Sequence, residues 1–325
     1  MTLRRTPLVI VLALTVLGLA FAAQGQPGGK VHRIGILAYQ TEAAFQQDFE
    51  TFRAGLREHG WIEGRNVAFE QRLAAGKLEL LPSLAAELVK SSPDLILAVA
   101  PLSIRAARQA TPSIPIVMVF GDPEMFVDLA RPGGNVTGMA ALAAELAGKQ
   151  VELLKQAVPA VSRVAVLRNP VQPVHVAKVR EAENTARALK LRILPVDARG
   201  PDDFEAAFAT MAHERVDGLI VLADGAFRNA APRLTELATR HRLPTVYGST
   251  GYAQAGGLVE YAPNPAESFR RAAAYVDRIL RGAKPGDLPV EQPTTFALTV
   301  NTKAARAIGV TLPPALLLRA EQVID

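Results

Sequence analysis

From residue 31 onward, short apolar runs alternate with amphipathic stretches along the whole chain. Ten runs read as strands: 32–39 (HRIGILAY), 66–73, 94–100 (DLILAVA), 114–120 (IPIVMVF), 135–140, 163–169, 191–197, 218–224, 244–249 and 258–263. Between them the apolar period changes to that of a helix, as with Phe45, Phe49, Phe52 and Leu56 inside 43–59. The same spacing predicts helices over 78–90, 145–157, 174–189, 203–214, 233–241 and 265–280.

Strands alternating with helices of this length specify βαβ units and a parallel sheet. Continuous runs such as LILAVA suit strands covered on both faces. Ten strands exceed one comfortable doubly wound sheet, and they divide into five before Gly138 and five after. The expected fold is therefore α/β, with two Rossmann-like lobes built on parallel sheets.

In open α/β sheets, ligands gather at the carboxyl ends of the strands. Those ends hold Tyr39 and Gln40, then Ala100, Pro101 and Leu102, then Gly121 and Asp122. The second half contributes Asn169, Asp224 and Ser249. Hydrogen-bonding groups dominate without a nucleophile–base pair, which is the inventory of a binding site. Asp122 and Asp224 could each act as a general base, but a carboxylate at a strand end equally caps the following helix. Gln40 and Asp224 are expected to line a cleft.

Enzyme signatures are missing. No GxSxG, HExxH, GxxxxGK[ST] or GxGxxG motif occurs, and there are no cysteines for a thiolate nucleophile or a zinc–thiolate site. His59, His213 and His241 fall at predicted helix C-termini, where the macrodipole favours them, and no histidine pair has metal-ligand spacing. Neither a metal nor a cofactor is expected. Trp61, the one tryptophan, reads as packing at a sheet edge.

The first 25 residues read as a signal peptide. Arg4 and Arg5 precede an unbroken apolar run from Leu8 to Ala22, short for a membrane span, and Ala20-Phe21-Ala22 offers a cleavage pattern. The net charge is +5, and removing those two arginines leaves 34 basic against 31 acidic residues. With no run of four Lys/Arg, this dispersed charge gives no nucleic-acid footprint.

The segment RPGGNVTG (131–138) has the glycines of a phosphate loop but lacks its lysine and its magnesium-holding hydroxyl. The remaining reading is a backbone device: Gly133-Gly134 for a tight turn and Gly138 for close approach, at the point where the chain crosses between lobes.

Taken in order, RIGIL, FRAGLREHGWIEGRNV, IPIVMVFGDP, LARPGGNVTG, RLPTVYG, AGGLVEYAPN and AAAYVDRILRGAKPGDLPVEQPT resemble the bacterial ABC-transporter substrate-binding proteins of the tryptophan/tyrosine type. The resemblance runs from about residue 31 to the C-terminus. It implies a type I periplasmic binding fold with a three-segment hinge: lobe one from 31–138 plus 250–284, lobe two from 139–249 plus 285–325. Gly138, Thr250 and Lys284 would be hinge residues, and Met139 and Tyr261 would join the cleft. It further implies a periplasmic monomer, not an enzyme, that hands a small solute to an inner-membrane ABC permease.

Two positions depart from the family pattern. Val99-Ala100-Pro101 stands where members often carry Gly-Thr-Pro, and Ser249-Thr250-Gly251 where an acidic residue is usual. Losing a hydroxyl and a carboxylate leaves a small aromatic or neutral solute as open as an amino acid. A receptor that signals to a membrane partner, or an α/β enzyme, is the alternative. The segment LPPALLLRAEQVI (312–324) reads as a final helix docked on lobe two.

Overall fold

The structure, a computed structural model, describes residues 30–141 and 145–325, so the signal-peptide reading lies outside the described residues. Its first half runs β1 (His32–Ala38), α1 (Glu42–Glu58), β2 (Val67–Leu73), α2 (Leu81–Lys90), β3 (Leu95–Val99), α3 (Pro101–Ala110), β4 (Ile116–Gly121) and β5 (Val136–Ala140). All five strands are parallel, in the order β2-β1-β3-β4-β5.

The second half begins with α4 (Glu145–Ala157), β6 (Arg163–Arg168), α5 (Val174–Ala188), β7 (Arg192–Asp197), α6 (Phe204–His213) and β8 (Gly218–Val221). It continues through α7 (Gly225–Asn229), α8 (Ala231–Arg240), β9 (Thr245–Tyr247), β10 (Val259–Pro263) and α9 (Pro265–Leu280). The last elements are β11 (Phe296–Asn301), α10 (Thr302–Ile308), α11 (Pro314–Leu317) and β12 (Gln322–Ile324). The second sheet has the order β12-β11-β10-β9-β8-β6-β7 and is parallel except where β11 runs against β10.

All ten sequence-predicted strands are present, and β11 and β12 are additional. The C-terminal segment expected as one helix is instead the short α11 followed by β12, which pairs with β11. Pro313 and Pro314 stand at the start of that helix, where proline is tolerated, and the free edge of β11 supplies the partner that turns Gln322–Ile324 into a strand.

The lobe boundaries also differ from expectation. β10 lies in the second sheet, so residues 250–263 belong there and not with lobe one. Thr250 sits between β9 and β10, which pair with each other, so the chain does not change lobes at that point. Gly138 and Met139 lie inside β5, hydrogen-bonded to β4, so the chain leaves the first sheet only after Ala140. It returns at Asn264, because α9 packs on α1 and shares the core of the first sheet through Phe269, Ala273 and Val276. Lys284 lies in the third passage, 281–295, between α9 and β11.

RPGGNVTG is a backbone device, as its glycines suggest. Gly133 and Gly134 take φ of 65° and 62° in the turn before β5. Gly138 has φ 124°, and a Cβ there would stand 2.4 Å from the Met118 carbonyl oxygen of β4. Only glycine permits that approach. Trp61 donates from Nε1 to Asp277 Oδ1 at 2.9 Å, tying the end of α1 to α9.

Candidate functional site

The carboxyl ends of the two sheets face each other across a cavity of about 130 Å³. Gln40, Ala100, Pro101, Phe120 and Asp122 line it from the first lobe. Gln172, His175, Lys178, Asp224, Arg228 and Ser249 line it from the second.

Six of the twelve candidate residues thus meet in one place: Gln40, Ala100, Pro101, Asp122, Asp224 and Ser249. Thr250, expected at a hinge, lines the cavity as well. The other six lie behind the wall. Tyr39 packs on lobe two, Leu102 packs on the core, and Gly121 is enclosed at the end of β4 by Met118. Met139 is buried in the first-lobe core, and its backbone bridges to Glu291. Tyr261 packs on Phe296, their ring centroids 5.7 Å apart. Asn169 is one layer back, holding Asp224.

Asp224 organises the second lobe's wall. It ends the β8 run and caps α7, Oδ1 accepting from Ala226 N at 2.8 Å and Phe227 N at 3.2 Å. Oδ2 accepts from Asn169 Nδ2 at 3.1 Å and Gln172 Nε2 at 3.2 Å. Burial pushes its pKa up, against these four donors, which pull it down.

His175 braces the same wall. Its Nδ1 accepts from Asn169 N at 2.9 Å, and its Nε2 faces the Ala223 carbonyl oxygen at 3.0 Å. That pairing requires the neutral ring with its proton on Nε2. Burial, reinforced by Lys178, holds its pKa down at about 3. With both nitrogens engaged, it is no general base.

Lys178 follows His175 by three residues on the buried face of α5 and is 7 % exposed. No carboxylate among the described residues lies within ion-pair distance of it. Burial lowers its pKa, while the Asp122 and Asp224 charges oppose that shift.

Three contacts join the lobes around the cavity. Arg228 Nη1 donates to Asp48 Oδ2 of α1 at 3.0 Å, with both side chains largely buried. Burial raises the Asp48 pKa and the arginine partly offsets it. Tyr39 fills the space left by the missing side chain of Gly225, where a Cβ would come within 2.8 Å of its ring, and donates to the Gly76 carbonyl oxygen at 2.6 Å. Asn229 approaches Gly76 from the second lobe.

The first lobe contributes strain in place of a polar network. Ala100 and Phe120, at the ends of β3 and β4, have φ of 70° and 61°. A non-glycine residue in that region costs on the order of 1–3 kcal/mol and persists where the surroundings enforce it, often at ligand sites.

Sequence reading missed Gln172, His175, Lys178 and Arg228. The first three recur every third residue in QPVHVAK, and polar residues on the otherwise apolar face of α5 were the available signal. Arg228 carried no signal, because its partner Asp48 is 180 residues away. Among the described residues, the cavity holds no carboxylate–His or Ser–Lys hydrogen bond, and no group of metal-ligating side chains occurs.

The chain is 23% identical over 283 residues to a tyrosine-binding protein of Clostridioides difficile, covering 86% of this chain and 81% of that one. A conserved domain protein from Vibrio cholerae matches with a TM-score of 0.85 and 26% identity, over 90% of this chain and 100% of that one. An ABC domain from Streptococcus pneumonia in complex with L-Trp matches with a TM-score of 0.84 and 24% identity, over 91% and 100%. These likenesses accord with a type I periplasmic binding fold. The family model described as ABC transporter substrate binding protein matches residues 33–324. The chain belongs to that family, which comprises solute-binding proteins and not enzymes.

Proposed function

We propose that this chain is the exported receptor of an ABC importer. It captures a small organic solute between its lobes by hinge closure and delivers it to a permease in the inner membrane. The observation that carries this reading is the cavity itself, lined from both lobes and bridged by the Asp48–Arg228 pair. A site divided between two bodies takes up and releases its ligand only as they part. The three passages after Ala140, at Asn264 and along 281–295 are where such motion would turn.

A ligand stabilises the closed form to the extent that it adds contacts absent from the open one. Amino-acid-like and small aromatic solutes are the first candidates, given the L-Trp complex and the tyrosine-binding relative. Export rests on the N-terminal apolar run, and no described helix is long and apolar enough to cross a membrane.

Small-angle scattering of the mature protein tests closure. A bound solute should lower the radius of gyration, and a ligand at a hundred times its dissociation constant should add about 2.7 kcal/mol of stability. Saturable binding with an unchanged radius would refute closure.

A further inference from the structure

We propose that the cleft selects a small hydroxycarboxylate: a solute whose carboxylate pairs with Lys178 and whose hydroxyl serves the neighbouring amide oxygens. This rests on the capture reading above and narrows its candidate solutes to those without an ammonium.

Lys178 is the anion's partner. It is a nearly fully buried ammonium lining the cavity without an ion pair among the described residues. Asp122 and Asp224 act on it only from beyond contact distance. A buried charge without a contacting counter-ion is costly, a cost that a ligand of opposite sign relieves. Arg228, the other cation on the wall, is already held by Asp48. The helix dipole adds to Lys178. α3 starts at the cavity wall with Ala100 and Pro101, and no side chain caps its first N–H groups. An anion at such an end is favoured.

The remaining groups argue against an ammonium on the ligand. Asp224 has both oxygens filled by four donors. Asp122 accepts from Glu124 N through Oδ1 at 3.0 Å while its charge acts on Lys178, which leaves Oδ2 as the one carboxylate oxygen of these two without a partner among the described residues. Among the described residues lining the cavity, the fully buried acceptors left without partners are neutral amide oxygens, Oε1 of Gln40 and Oε1 of Gln172, one from each lobe. A hydroxyl donor satisfies such an acceptor without bringing a second charge into the cavity.

Size narrows the class further. About 130 Å³ is available, and an apolar protein cavity of about 150 Å³ takes benzene. A short branched chain or at most one small ring matches this space, and an indole is the poorer match.

The test uses calorimetry and thermal melting of the mature protein with three nearly isosteric probes: 2-hydroxy-3-methylbutanoate, its methyl ester and L-valine. 4-Hydroxybenzoate with its methyl ester serves as the ring-bearing pair. The hydroxy acids should bind, with the esters and L-valine about ten- to a hundredfold weaker. Lys178→Met should abolish the preference for acid over ester, Lys178→Arg should retain it, and ligand-free Lys178→Met should melt higher than the parent. Esters or L-valine binding as well as the hydroxy acids would overturn the assignment. So would failure of every acid to bind, or unchanged acid binding by Lys178→Met. A ligand-free Lys178→Met protein that melts lower would mean that Lys178 has a partner in the fold, which also defeats the proposal. An ester that lowers the radius of gyration would defeat the hydroxycarboxylate and leave capture by closure intact. Lys178-dependent acid binding with no such change would do the reverse.

Discussion

The two walls of the cleft are made from the same βα units yet work differently. In the second lobe Asn169, Gln172, His175 and Asp224 hold one another through hydrogen bonds of 2.9–3.2 Å. In the first lobe the wall is mostly Ala100, Pro101 and Phe120, with backbone strain at two of the three. A wall whose polar atoms are fixed in advance presents a fixed face to a solute. In the proposed closure the strained wall is the one that moves over that face, and Gln40 and Asp122 are its polar contributions. Under the proposed capture mechanism, the asymmetry assigns ligand recognition to the second lobe and closure to the first.

The sharpest challenge to this contrast is Asp224→Ala. It removes a helix cap and strands two buried amides, so it should cost about 3 kcal/mol in urea unfolding, whereas Pro101→Ala should cost under about 1 kcal/mol. Equal losses would erase the distinction between the walls. Next comes the bridge. Arg228→Ala should destabilise the closed form by about 2 kcal/mol, because it leaves Asp48 buried without its cation, and scattering should register a larger radius of gyration.

The brace at His175 predicts a pH dependence. Its folded pKa of about 3 lies below the usual histidine value, so between roughly pH 6.5 and 3 the unfolded chain binds a proton that the native protein does not. The stability from this neutral ring is complete above about pH 6.5. It is lost as the pH falls, by up to about 1.4 kcal/mol per pH unit. His175→Gln should flatten that slope in unfolding measured across the range. The smallest effect belongs to the strained wall: Ala100→Gly should stabilise by about 1 kcal/mol, since glycine accepts a φ of 70° without the Cβ penalty. A loss of stability there would mean that the strain is not real.

Much of the site was legible because strand ends are legible. Gln40, Asp122, Asp224 and Ser249 follow directly from where apolar runs stop, since a parallel sheet aligns those stops along one edge. Tyr39 and Asn169 were found by the same rule but serve as a contact between lobes and as a support for Asp224. Lys178 and His175 escaped it because they come from a helix, where burial depends on which face turns inward.

The sequence alone determined the alternation of strand and helix, and with it ten strands, the parallel sheets and the doubling into two lobes. These follow from local periodicity, which the backbone geometry of each element imposes. Tertiary structure decided where the chain changes lobes. That depends on which sheet edge accepts β10 and on α9 packing against α1 more than 200 residues earlier. It also decided that β12 is a strand, because three residues form one only when β11 offers an open edge. The pairing of Asp48 with Arg228 and the lack of an ion pair at Lys178 among the described residues belong to the same class. Each is an energy between groups distant in sequence, and no local pattern encodes it.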